Sequence, residues 1–196
     1  SSIELGLVLP HVNALRDHLP DLELRVLRGT GPQLVELLKS GEVELAVAAS
    51  LAPGWDRLDS WKLYEEPFEL VFSRSHRLAN KEQIDVSDLI TERFLLRNHC
   101  ESCGEVTERL RLKGVGVDRR HEVSSDQDLI SLLELQVGVG VLPQTVSAPQ
   151  TLLRTPIKGV DLNRAVHLYG VAGRQRSPIA GTFMKMLRAA AWPKPH

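Results

Sequence analysis

Cysteine is nearly absent: two residues of 196, Cys100 and Cys103. That excludes a disulfide scaffold as the source of the fold. Charge of one sign is also missing, since 24 Lys and Arg against 25 Asp and Glu leave a net charge of −1. Gripping nucleic acid usually takes a basic face, and this composition supplies no such excess. No run of roughly 18 apolar residues occurs, so nothing in the sequence is long enough to span a bilayer. Ser1-Ser2-Ile3-Glu4 lacks the basic and apolar regions of a secretory signal. The expectation is a cytoplasmic chain with no membrane partner. Enzyme motifs are missing too: there is no G-x-S-x-G, no phosphate-binding loop and no H-E-x-x-H. No enzymatic activity and no cofactor are expected. Neither an internal repeat nor a low-complexity segment is present.

What is present is a globular composition, 42% hydrophobic and 25% charged, in a chain long enough to bury a sizeable core. Residues 22–49 organise it. Leu22-Glu23-Leu24-Arg25-Val26 alternates apolar and charged residues with period two, the pattern of a strand with one buried face. Thr30, Pro32 and Gln33 open a helix as cap, first-turn proline and capping-box partner. Leu34, Val35, Leu37 and Leu38 form its apolar stripe, and Gly41 fits a left-handed stop. Val43, Leu45 and Val47 mark the buried side of a second strand. The unit predicts a parallel pair with a right-handed crossover.

Elsewhere strands and helices alternate, so the expected class is α/β. Ile3–Leu9 reads as a strand ended by Pro10, His11–His18 as a short helix, and Pro20-Asp21 and Pro53-Gly54 as turns. Two β-like pieces lie between Leu63 and Ser73. Strands are expected at 94–96, 119–123, 138–143 and 165–172, with residues 151–156 β-like or loop. Helices are expected at 86–90, 102–114, 124–133 and 179–190, Ser102 and Glu105 having the capping-box spacing. Trp192 to His196 reads as a tail. Glu65 and Glu66 are adjacent on a strand, so they point to opposite faces and are not expected to work as an acid/base pair.

Three stretches together resemble the effector-binding domain of LysR-type transcriptional regulators. They are residues 20–49, Leu63-Tyr64-Glu65-Glu66-Pro67-Phe68-Glu69-Leu70-Val71, and Gly138-Val139-Gly140-Val141-Leu142-Pro143. Ser75-His76-Arg77-Leu78-Ala79 is similar to a fourth family segment, with Arg77 where proline is usual. The resemblance implies two Rossmann-like α/β lobes joined by two crossing strands, as in type 2 periplasmic binding proteins. Lobe I would be residues 1–74 plus 166–196 and lobe II residues 75–165. A small-molecule effector would bind in the inter-lobe cleft, modulating DNA binding and transcription. No recognition-helix pattern precedes Ile3, so the winged helix-turn-helix would be absent, and promoter DNA would be reached only through that domain. Self-association as a homodimer or homotetramer is also implied. One departure stands out: about fourteen residues separate Gly6 from Pro20, where relatives have several more, including an effector-facing Ser or Thr. A solute-binding transport protein shares the fold and is the alternative from another class.

Carried over position by position, the effector-binding candidates are Thr30 and Ser50 in lobe I and Arg97, Asn98, His99, Cys100, Ser124 and Ser125 in lobe II. Helix N-termini there offer N–H groups and a positive dipole end to an anion. Ser124 and Ser125 fit equally well as simple helix caps, and Arg97 as a structural ion-pair partner. Cys100-Glu101-Ser102-Cys103 has the spacing of a redox pair at a helix start. With His99 and His121 it also offers the soft ligands of a zinc or copper site, and a bland turn is the third reading.

Overall fold

The structure, a computed structural model, describes residues 2–19, 22–51, 55–117 and 120–193. The expected turns at Pro20-Asp21 and Pro53-Gly54, Arg119 and the end of the tail lie outside the described residues. The chain divides into two compact units: residues up to Glu65 together with those from Ala165 onward, and Glu66–Arg164. It therefore crosses between units twice. Among the described residues, no helix is long and apolar enough to cross a membrane.

In the first unit, α1 (Leu9–His18) follows a 3-10 turn at Leu5–Leu7. The expected strand over residues 3–9 does not form. Pro10 sits in the first turn of α1, where its missing N–H costs nothing and its φ is already helical. It thus starts a helix instead of ending a strand. The expected strand over 22–26 is also absent. Those residues belong to no helix and no ladder, with Leu24 51% and Val26 52% exposed. α2 (Gly31–Ser40) matches the sequence closely: Thr30 and Gln33 form the capping box, and Gly41 closes it at φ 79°. β1 (Leu45–Ala48) pairs antiparallel with the late strand that faces Leu45 with Gly170 and Ala48 with His167. The parallel crossover pair is accordingly not found.

Alternation alone did not determine the partner, because it states only that the two sides of a segment differ. Leu22, Leu24 and Val26 line a groove of about 480 Å³ together with Val43, Leu45 and Val47, and the charged residues between them, Glu23, Arg25 and Glu44, line it too. The more buried face of β1 is the opposite one, Ala46 and Ala48, packed with Leu34, Leu38, Tyr169 and Val171.

β2 is one unbroken strand, Leu58–Ser73. In the second unit its later part is followed by a 3-10 turn at Arg77–Asn80, β3 (Ile84–Asp85), α3 (Val86–Leu89), β4 (Phe94–Arg97) and α4 (Cys103–Leu112). Then come β5 (Arg120–Val123), α5 (Asp126–Glu134), β6 (Val139–Pro143), β7 (Leu152–Thr155) and β8 (Ile157–Lys158). β9 (Asn163–Val171) and α6 (Pro178–Ala189) return to the first unit. β4 lies parallel between β5 and β6, while β2 runs antiparallel to both β6 and β7.

Both faces of this sheet are covered. Phe68, Leu70, Phe94, Leu96 and Val141 pack with Leu110 of α4. Val71, Leu95, Val123 and Leu142 pack with Leu129 and Leu133 of α5. The period-two split of neighbours such as Leu95 and Leu96 is what a doubly covered strand requires.

Two smaller expectations are corrected. Ser102 precedes α4 without a side-chain cap bond, because its ψ of 2° leaves the extended region a capping hydroxyl needs. Trp192 is packed rather than a tail: its indole N–H donates to Leu187 O at 2.8 Å, and its ring stacks on Tyr64 at 5.4 Å.

Gly138 marks the tightest approach in the second unit. A Cβ there would stand 2.2 Å from the Arg93 carbonyl oxygen, which already accepts from Val139 N at 2.8 Å. Gly138→Ala is expected to cost about 1–3 kcal/mol through this overlap. A lower urea midpoint at unchanged slope is the expected reading, and an unmoved midpoint would contradict it.

Candidate functional site

The candidate residues fall into two corners, one in each unit. In the first unit, Thr30 N donates to Gln33 Oε1 at 2.8 Å, so the head of α2 is rigidly capped. A Cβ at Gly31 would lie 3.7 Å from Ser50 O, which places the start of α2 against the end of β1. Ser50 is exposed there. Its neighbour Ala49 O is held by the Tyr169 hydroxyl at 3.4 Å and faces His167 Nδ1 at 3.3 Å. No acidic residue occupies the first turn of α2, so the positive end of its dipole is not neutralised from within.

The second corner forms where β4 and β5 end and α5 begins. The parallel register sets Arg97 beside Val123, and Asn98 N donates to Val123 O at 3.2 Å. Arg97, only 4% exposed, grips Asp126 with two parallel bonds, Nε to Oδ1 at 2.6 Å and Nη2 to Oδ2 at 2.8 Å. His99 Nε2 lies 3.0 Å from the same Oδ1, and its Nδ1 is 3.4 Å from Val123 O. Asn98 Nδ2 donates to Glu122 Oε2 at 2.5 Å. Ser125 caps α5, accepting from Asp128 N at 3.1 Å and donating to Asp128 Oδ2 at 2.6 Å.

Arg97, Asn98, His99 and Ser125 thus come together, and Ser124 is exposed beside them. Their hub is Asp126, which sequence reasoning missed. Its signal was available: an acid at the first helical position, where the dipole favours it. Burial alone would raise its pKa. Hydrogen bonds from His99 and Arg97 outweigh that and hold the carboxyl well below the usual carboxylate range.

Cys100 turns the other way, into the core with Phe94, Leu96 and Leu110. Cys103 begins α4 and is half-buried. Among the described residues, no three His, Cys, Asp or Glu side chains converge as a metal-holding group.

A second buried polar cluster was also missed. Glu66 Oε1 accepts from Arg164 Nε at 2.8 Å, both side chains being 2% exposed. Glu66 Oε2 accepts from Thr145 N at 3.0 Å and from its hydroxyl at 2.7 Å. Glu65, on the opposite face as expected, instead pairs with Lys62.

With both corners described, comparison with known proteins narrows the reading. The sequence profile described as the LysR substrate binding domain matches residues 1–192. A curated relative, the uncharacterised HTH-type transcriptional regulator YybE of Bacillus subtilis, is 23% identical over 175 residues. That match takes in 88% of this chain, which spans 59% of the relative's length. The regulatory domain of CcmR from Synechocystis PCC6803, solved in complex with 2-PG, superposes with a TM-score of 0.84 at 22% identity, covering 98% of this chain and 95% of that one. The effector binding domain of QuiR, solved in complex with shikimate, gives a TM-score of 0.84 at 15% identity, covering 95% and 90%. The chain belongs to the LysR substrate binding domain family.

Proposed function

We propose that this chain is the effector-sensing part of a LysR-type regulator and takes a small molecule bearing an anionic group, binding it without turnover. The observation that carries the reading is the contrast between the two corners. Both lie at strand ends and helix starts, where α/β folds take ligands. The α2 head has free dipole and no first-turn acid, so it suits the anion. The α5 head carries Asp126 and Asp128, and Arg97 is already committed to Asp126. That corner suits hydroxyl or amine donors instead, through Asp126, Asn98 and His99. Promoter DNA would be engaged by a separate part of the full regulator, and self-association would transmit the signal.

The test is thermal melting of the chain against a panel of hydroxylated and plain carboxylates. A ligand that binds only the folded state stabilises it by about 2.7 kcal/mol at 100 times its Kd. The expected result is a dose-dependent rise for one member, weakened about tenfold by Ser50→Ala where it seats on the first corner or by His99→Ala where it seats on the second, the loss of roughly one hydrogen bond. A panel that shifts nothing at millimolar concentration, or variants that leave the affinity unchanged, would overturn the reading.

A further inference from the structure

We propose that Cys100 and Cys103 are an oxidant-reactive dithiol that closes to an intramolecular disulfide on exposure to a small peroxide. The inference does not rest on the effector reading. It stands on three features of the turn between β4 and α4.

The first is reach. Cys103 N donates to Cys100 O at 3.1 Å, a tight turn in which the first and fourth Cα atoms lie within about 7 Å. Disulfides span Cα separations of roughly 4.4–6.8 Å, so the bond requires little backbone movement. The second is access. Both cysteines line an open groove of about 470 Å³ shared with Gly104, Thr107 and Glu122. A cavity of about 20 Å³ adjoins them, also lined by both cysteines and by Arg97. That volume admits one water-sized guest. The third is the polar setting. Arg164 Nη1 stands 4.0 Å from Cys100 Sγ. Arg97 Nη1 is buried and has no hydrogen-bond partner among the described residues. Two guanidinium groups thus place positive charge near the Cys100 sulfur, and one of them, Arg97, lines the cavity itself.

The chemistry balances with hydrogen peroxide as the oxidant. The Cys100 sulfur, as thiolate, attacks one peroxide oxygen, and the O–O bond breaks. The departing hydroxide takes up a proton as water and leaves an S–OH group on Cys100. The Cys103 sulfur then attacks the Cys100 sulfur, and the S–O bond breaks. The released hydroxide takes the Cys103 thiol proton and departs as a second water. Two thiols and one peroxide give one disulfide and two waters, with two electrons passing from sulfur to oxygen. Burial, and then the neighbouring Cys100, push the Cys103 thiol up, so Cys103 is not the sulfur assigned to the first attack. The disulfide would close on the link that presents Asn98 and His99, so the oxidised turn holds the second corner differently from the reduced one.

Peroxide treatment of the folded chain, followed by alkylation and intact-mass measurement, tests this. The expected result is loss of both alkylatable thiols, a mass lower by two hydrogens, a single-chain band on a denaturing gel, and full reversal by dithiothreitol. In Cys103→Ser, Cys100 is expected to stop at the sulfenic acid and be trapped by dimedone. The proposal is overturned if both thiols stay alkylatable. It is equally overturned if oxidation gives cross-linked chains or irreversible oxygen adducts. The native-sequence measurement decides even if the serine variant does not fold.

Discussion

Asp126→Asn is expected to lower the melting midpoint by about 6–12 °C. The carboxylate answers Arg97 with two bonds and faces His99. Asparagine keeps one acceptor and loses the charge, leaving the guanidinium buried without its counter-ion. Breaking such a pair from one side costs roughly 3 kcal/mol, and a chain of this size loses about 2–4 °C per kcal/mol. The pH dependence supplies a second check. A carboxylate held below its unfolded value contributes stability that is fully present above that value, 3.8 here, and is lost as pH falls toward the lower folded one. The deficit of the variant should therefore be constant from about pH 5 to pH 8 and shrink below about pH 4. A midpoint within about 2 °C of the parent, or a deficit that does not shrink in acid, would show that Asp126 is not the hub of this corner.

Most of the second unit was legible in the sequence because its strands are covered on both faces. Phe94, Leu95, Leu96 and Arg97 are all buried, and a short apolar run between polar links has few other ways to fold. α2 was equally plain, because capping box, stripe and terminal glycine agree. The beginning of the chain was not. Ile3–Leu9 and Leu22–Val26 both alternate, yet alternation states only that one side is wet and never names a ladder partner. Pro10 was the stronger signal and pointed to a helix. The first boundary between the units was hidden for a related reason: β2 runs unbroken from Leu58 to Ser73, so no turn residue marks Glu65.

The candidate corners came from resemblance, and the structure shows what spacing could not. Asp126 is far from Arg97 in sequence and beside it in space because parallel pairing of β4 with β5 delivers both to one end of the sheet. Adjacency pairs Glu66 only with Glu65, its neighbour on the opposite face. Strand parity held the better clue. Tyr64, Glu66, Phe68 and Leu70 share one buried face, so an acid there demands a buried cation. Arg164 occupies the matching parity of β9, between exposed Asn163 and half-buried Ala165.

Glu66→Leu is expected to cost about 3–5 kcal/mol, or roughly 6–20 °C in melting midpoint. The pair sits where the chain enters and leaves the second unit, Glu66 being its first residue and Arg164 its last. Leucine fills much the same space, so the loss is electrostatic: Arg164, packed over the Phe68 ring at 5.6 Å, keeps its charge with its carboxylate gone. Adding Arg164→Met should therefore restore most of the stability, since a buried ion pair gains little over well-packed apolar side chains. Recovery should stop about 1–2 kcal/mol short, because Thr145 N and its hydroxyl both lose Glu66 Oε2 as acceptor. A double variant as unstable as the two single changes summed would mean that Glu66 and Arg164 act independently.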